Sequence, residues 1–198
     1  MSVGKYEALK VKNLLSFMLL GCLATNAVAT QLCQDRINLS APSSRYLFTE
    51  DGALVTDTVT GLIWQRCLLG QIFSNGGTPD FPHDDTCANA PSAQASWAMS
   101  LLATATFNMQ ELAAGRSAFW RVPNIKELAT TQELKCVFPA VNPLVFPSLP
   151  AGAFQWSSTT TFNLGTPTTW AFFVDSGNLG SVSSQTTSGY VRLVRDPL

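Results

Sequence analysis

Four cysteines, Cys33, Cys67, Cys87 and Cys136, remain once an export leader is set aside, and they constrain this 198-residue chain more than any other feature. Lys5, Lys10 and Lys12 precede an apolar run from Leu14 to Ala24, and Ala27-Val28-Ala29 is a small-x-small cleavage site. This is the layout of a secretory signal peptide over residues 1–29, too short to serve as a permanent bilayer span. Leu19-Leu20-Gly21-Cys22 offers a rival lipobox that would leave a lipidated Cys22, but the bulky Leu20 makes that box imperfect and cleavage after Ala29 is preferred. The chain is therefore expected outside the cytoplasm: in the periplasm, on the cell surface or secreted. An even cysteine count in an exported chain reads as disulfides, with three connectivities open to four cysteines. Pairing Cys67 with Cys87 would staple the Gly-, Asn- and Pro-rich segment between them. Cys33 with Cys136 would then tie an N-terminal extension, residues 30–44, to a domain over 45–198. Each bridge is worth ~3 kcal/mol through restriction of the unfolded chain. A zinc site is the weaker reading, because no two cysteines stand two residues apart and the single histidine, His83, lies in the turn-rich segment.

The leader takes three lysines and one glutamate, which leaves nine basic and twelve acidic side chains. A mature net charge near −3 provides no broad basic field for nucleic acid or an anionic membrane. No apolar run beyond the leader is long enough to span a bilayer, so the chain is not expected to be an integral membrane protein. About 169 residues suffice for one domain around one core.

The organising stretch of that domain is Trp120-Arg121-Val122-Pro123-Asn124-Ile125-Lys126-Glu127-Leu128. Pro123 biases Val122 to an extended conformation. Asn124 then caps a helix, and Glu127 stands at the spacing of a capping box. Trp120 is read as a buried anchor and Arg121 as a cation in need of a carboxylate. Arg121, Asn124, Glu127 and Arg192 form the expected structural polar core, with Glu127 paired to Arg121, Arg192 or Arg195.

Strands are expected at Arg45–Glu50, Ala53–Thr56 and Leu62–Trp64, with a turn over Thr58–Gly61. Gln71–Pro91 reads as the least regular part. Asp84 and Asp85 beside His83 lack the alternating oxygen ligands of a calcium loop and read as solvated, so no metal and no cofactor are expected. Ser96 caps a helix from Trp97 to Ala105, with Trp97, Leu101 and Ala105, and also Ala98 and Leu102, expected to face the core. The four prolines from Pro139 to Pro150 predict an irregular, packed loop over Phe138–Ala153. Strands follow at Phe154–Thr160, Thr168–Val174, Leu179–Ser184 and Tyr190–Arg195, with a hairpin turn at Asp175-Ser176-Gly177-Asn178.

Four ordered motifs, Asp57–Cys67, Trp120–Leu128, Trp156-Ser157-Ser158 and Val191-Arg192-Leu193-Val194-Arg195, resemble the Legionella collagen-like (Lcl) C-terminal domain family from about Tyr46 to Arg195. The capped helix and the closing strand are more distantly similar to the formylglycine-generating-enzyme branch of the C-type-lectin-like folds. The resemblance implies an α+β, C-type-lectin-like fold: two short helices with a twisted, mainly antiparallel sheet, stapled by disulfides. It also implies a last strand that pairs near the first. The Lcl likeness implies a homo-oligomer, a trimer, that binds sulfated glycosaminoglycans. The chain departs from that pattern in having no Gly-x-y tract and a negative mature charge. The formylglycine-generating relatives use reactive cysteines near the C-terminus, and none lies beyond Cys136. The lectin-type Glu-Pro-Asn calcium motif is absent as well.

No nucleophile–base set stands out, since the lone histidine accompanies no Gly-x-Ser-x-Gly elbow. The expected function is an exported, non-enzymatic binding or adhesion domain for an extracellular polysaccharide or protein. Its candidate surfaces are the loops Gln71–Pro91, Thr159–Thr169 and Ser183–Ser188. The alternatives are a periplasmic enzyme of unknown reaction or a subunit of an envelope or pilus assembly.

Overall fold

The computed structural model describes residues 31–77, 83–116 and 119–197. The expected leader, with Cys22, and the turn signals at Pro79-Asp80 and Pro82 lie outside the described residues. The arrangement is α+β and its strand pairings are antiparallel, but the strands form separate ladders rather than one sheet. β1 (Leu32–Cys33) pairs with β7 (Cys136–Val137), and β5 (Ile72–Ser74) with β6 (Thr86–Ala88). A four-stranded sheet joins β2 (Tyr46–Phe48), β3 (Leu54–Asp57), β4 (Ile63–Gln65) and β11 (Val194–Arg195). A three-stranded sheet joins β8 (Phe154–Asn163), β9 (Thr166–Phe173) and β10 (Leu179–Ser183).

The turn between β3 and β4 shows why the Asp57-x-x-Thr60-Gly61 sequence belongs there. The fully buried Asp57 accepts from Val59 N at 3.0 Å, from Thr60 Oγ1 at 2.7 Å and from Arg45 Nε at 2.6 Å. Burial opposes its ionisation, yet the bonds from Arg45, Thr60 and Val59 outweigh burial and hold the carboxyl below its ordinary range. A carboxylate is thus consumed in fixing the order of two strands.

Side-chain alternation places the end of β9 between two apolar clusters. Phe172 and Val174 join one, with Tyr46, Trp64, Leu128, Val145 and Phe146. Ala171 and Phe173 join the other, with Trp120, Val122, Trp156, Val191 and Leu193. The period of two in an extended chain accounts for that division. The last strand, expected near the first, lies in the same four-stranded sheet as β2, at its opposite edge. It pairs with β4, through Val194 opposite Trp64 and Arg195 opposite Ile63, where Val194 and Trp64 belong to one cluster and Ile63 packs against the other.

The helices also differ from expectation. α1 (Trp97–Ala113) has 17 residues and is not short. Ser96 caps it as expected, but the buried residues are Ser100 and Thr104, while Leu102 is 57% exposed and Leu112 65%. Trp97, Ser100, Thr104 and Phe107 share one face at helical spacing, as do the apolar residues of the opposite face. The tie is broken by polar bonds: Trp97 Nε1 donates to Ser157 O at 2.8 Å, and Asn108 grips both the amide and the carbonyl of Trp120. Ser100 Oγ donates to Trp97 O and Thr104 Oγ1 to Ser100 O, so both hydroxyls enter the interface already satisfied.

α2 (Ile125–Thr130) carries the reciprocal capping box, with Asn124 Oδ1 accepting from Glu127 N at 3.0 Å and Glu127 Oε2 accepting from Asn124 N at 2.8 Å. Disulfides join Cys33 to Cys136 and Cys67 to Cys87. The segment before β2 is bound closely to the rest. Buried Glu133 accepts from Ser40 N at 3.0 Å, Ala41 N at 2.9 Å and Lys135 N at 3.0 Å. No helix among the described residues is long and apolar enough to cross a membrane.

Candidate functional site

Between β4 and β6 the chain is held by a buried arginine that sequence reading did not single out. Arg66 has no exposed surface. Its Nη1 donates to Gly52 O at 2.7 Å and to Asp85 Oδ2 at 2.6 Å, its Nε to Val145 O at 3.0 Å and its Nη2 to Leu144 O at 2.7 Å. The rings of Phe48 and Phe73 each lie 4.7 Å from its guanidinium carbon. Burial pulls the Arg66 pKa down while Asp85 opposes that, with the net below an arginine's ordinary value. Asp85 is thus a buried ion-pair partner and not a solvated carboxylate, and the segment expected to be least regular contains the β5–β6 ribbon. The signal was available only as a juxtaposition across the fold, since Arg66 and Val145 stand 79 residues apart.

These ties shape an open pocket of about 500 Å³. One side comes from His83, Asp85 and Thr86 of the disulfide-stapled loop, the other from Phe138, Pro139, Leu144, Pro147 and Leu149, with Asp175 in the turn that follows β9. Cys87 N donates to Ser148 Oγ at 2.9 Å and joins the two sides. Phe138 N donates to Asp175 O at 2.8 Å, and Gly152 N to Asp175 Oδ2 at 2.7 Å. The walls are chiefly proline and aliphatic, with one half-exposed aromatic ring, Phe138 (51% exposed). Beneath the floor residue Phe146 lies Arg192, its guanidinium carbon 4.4 Å from the ring centre.

Arg192 is not part of the expected polar constellation. It is fully buried, donates through Nη1 to the carbonyls of Gln65 and Arg66, and meets no carboxylate among the described residues. Burial pushes its pKa down to about 9, and burial likewise pushes the nearby Tyr46 phenol up to about 12. Glu127 instead takes Arg121 in a two-point contact, at 2.7 and 2.9 Å, and Arg121 reaches Asp196 Oδ1 at 3.1 Å. With one of its oxygens also bound to the cap amide, Glu127 is wholly engaged at the start of α2. Arg195 stacks over Trp120 at 5.0 Å.

Of the three expected binding loops, Gln71–Pro91 lines the pocket through His83, Asp85 and Thr86. It also borders, through Gln71 and Ile72, an uncharged groove of about 490 Å³ against Met99, Leu102 and Phe107 of α1. Thr159–Thr169 forms the tip of the β8–β9 ribbon, where Phe162 is 75% exposed and Leu164 fully so. Neither it nor Ser183–Ser188 lines the pocket. Phe138 and the prolines of the Phe138–Ala153 loop, which sequence reading did not place at a binding surface, supply the aromatic and apolar lining. All four described cysteines are disulfide-bonded, and no group of three or more His, Cys, Asp or Glu among the described residues is placed to hold a metal ion.

Among curated proteins and among solved structures, none matches this chain. The Lcl C-terminal domain model matches residues 53–195, which contain the four motifs, the pocket and both partners of the Arg66–Asp85 pair, and the chain belongs to that family.

Proposed function

We propose that the chain is an exported, non-enzymatic binding domain of C-type-lectin-like character that recognises a surface polysaccharide or protein through the pocket between the disulfide loop and the proline-rich loop. The observation that carries this reading is the pocket itself. It has the size of a small-ligand site, an apolar wall with one accessible aromatic ring, and a few polar groups at its rim. Its walls are loops, where binding surfaces are usually found, and they are fixed by a disulfide and a buried ion pair. The carboxylates and arginines best placed for acid–base work, Glu127, Asp57, Arg121 and Arg66, are each engaged in holding backbone or one another. Ala151, exposed on the rim, offers a test. Ala151→Trp fills the pocket without touching the core. The purified chain is expected to bind a subset of a combined glycan and protein array, and A151W to lose that subset while its melting temperature stays unchanged. Equal binding by A151W would move the site elsewhere, and silence of the wild-type chain across both panels would remove the binding reading.

A further inference from the structure

Of the two carboxylates that line the pocket, one has no ion-pair partner among the described residues. Asp85 is neutralised by Arg66, whereas Asp175 forms no ion pair among the described residues. Its Oδ2 accepts from Gly152 N at 2.7 Å, which fixes the side chain at the rim without cancelling its charge. Phe138, whose amide donates to Asp175 O, places a half-exposed ring on the same rim. A flat aromatic face suits the C–H face of a pyranose, and a fixed carboxylate beside it suits a cationic substituent on that ring. The mature chain's charge near −3 acts in the same direction, favouring polycations over sulfated or phosphorylated polymers. A pocket of about 500 Å³ also exceeds what one lysine side chain would fill, which favours sugar rings over a basic peptide.

We propose that the pocket takes an amino sugar with a free, protonated amine, as a residue of a de-N-acetylated glucosamine polymer, with the sugar ring on Phe138 and the ammonium on Asp175. This rests on the binding reading above and specifies its ligand. The discriminating probes are glucosamine oligomers and their fully N-acetylated counterparts, identical except for the amine charge, with oligolysine of equal charge as a third arm. Binding is followed by calorimetry with the wild-type chain, Asp175→Asn, Phe138→Ala and Ala151→Trp. Asp175→Asn keeps an oxygen to accept from Gly152 N, so it removes charge with little change of shape.

The wild-type chain is expected to bind the free-amine oligomer and not the acetylated one, with affinity at least about tenfold weaker in D175N and F138A and lost in A151W. Equal binding of both oligomers, abolished by A151W, overturns the amine assignment and leaves the pocket's binding role standing. Free-amine binding that A151W does not affect shows diffuse charge attraction and overturns the pocket assignment. Oligolysine bound as well as the sugar, with the same loss in D175N, replaces the sugar by a basic peptide. No binding of either oligomer overturns the proposal, and whether the broader reading also fails is decided separately by the array result for A151W.

Discussion

The two sides of the central β8–β9–β10 sheet solve the same problem differently. On the side of Tyr46, Trp64 and Phe146 stand the fully buried charged residues found among the described ones, Asp57, Arg66, Glu133 and Arg192. On the side of Trp120, Trp156 and Leu193 the docked helix α1 buries Ser100 and Thr104. The difference follows where the backbone is regular. α1 satisfies its own amides and carbonyls, so neutral side chains suffice beneath it. The first side is built from the segment before β2, the disulfide loop and the Pro139–Pro150 loop, whose backbone groups have few ladder partners. In these loops and in the turns on either side of β3, Arg66 donates to the carbonyls of Gly52, Leu144 and Val145, Glu133 accepts from the Ala41 amide and Asp57 from that of Val59. Arg192 donates to the carbonyls of Gln65 and Arg66 where β4 ends. Buried ions take the place of secondary structure, which is how an irregular region can hold a pocket in a fixed shape.

The largest expected effect that sharpens this contrast is Arg66→Met. It strands Asp85 and three carbonyls, and should lower the unfolding free energy by about 3–5 kcal/mol in urea denaturation, the range for breaking a buried ion pair. A loss below about 1 kcal/mol would mean the loops hold without it. Acid comes next. Asp57 and Glu133 both have carboxyls held below the ordinary range; burial opposes this, but Arg45 at Asp57 and the backbone amides at Glu133 prevail. Their stabilising contribution is present above the unfolded-state carboxylate pKa and is lost as pH falls through the lower folded values. Stability should therefore drop on that acid limb, and Glu133→Gln should flatten part of it in melting curves recorded against pH.

The helix side should respond far less. Thr104→Val removes one hydroxyl bond and preserves shape, with an expected cost within about 1 kcal/mol by the same denaturation. Leu112→Lys, on the exposed face of α1, should change stability by no more than about 0.5 kcal/mol. A loss of several kcal/mol there would show that this face is covered in the native protein.

How much of this was legible in the sequence depended on range. Asn124 and Glu127 declared the cap of α2 because a capping box is written within four residues. The Asp175–Asn178 turn was legible for the same reason. Gly177 adopts φ +74°, so the turn needs glycine for its backbone, and a Cβ there, 2.2 Å from Gln132 Nε2, would also displace the Gln132 side chain. The burial of Asp85 and the isolation of Arg192 from Glu127 were not legible, because their partners are fixed only when distant loops meet. In α1 the Ser96 cap and the core-facing Trp97 were legible, but the rest of the buried stripe was not, for another reason. Two faces offered helical spacing, and the apolar one looked like the core. The choice fell to Trp97 and Asn108, whose bonding partners Ser157 and Trp120 become neighbours only in the folded chain. Phe138 shows the same limit at the pocket: the first residue of the proline-rich loop, given no role by sequence reading, stands half exposed beside Asp175.

The substitution of buried ions for backbone ladders is tested most directly by amide hydrogen exchange, read as protection factors across the carboxylate pH range. The amides of Ser40, Ala41 and Lys135, which donate to Glu133, and of Val59, which donates to Asp57, should be protected near neutrality despite lying outside any strand or helix. On acidification they should lose protection while the β8–β9 ladder keeps its own. Rapid exchange of those four amides at neutral pH, or their release together with the ladder in a single global step, would contradict the account.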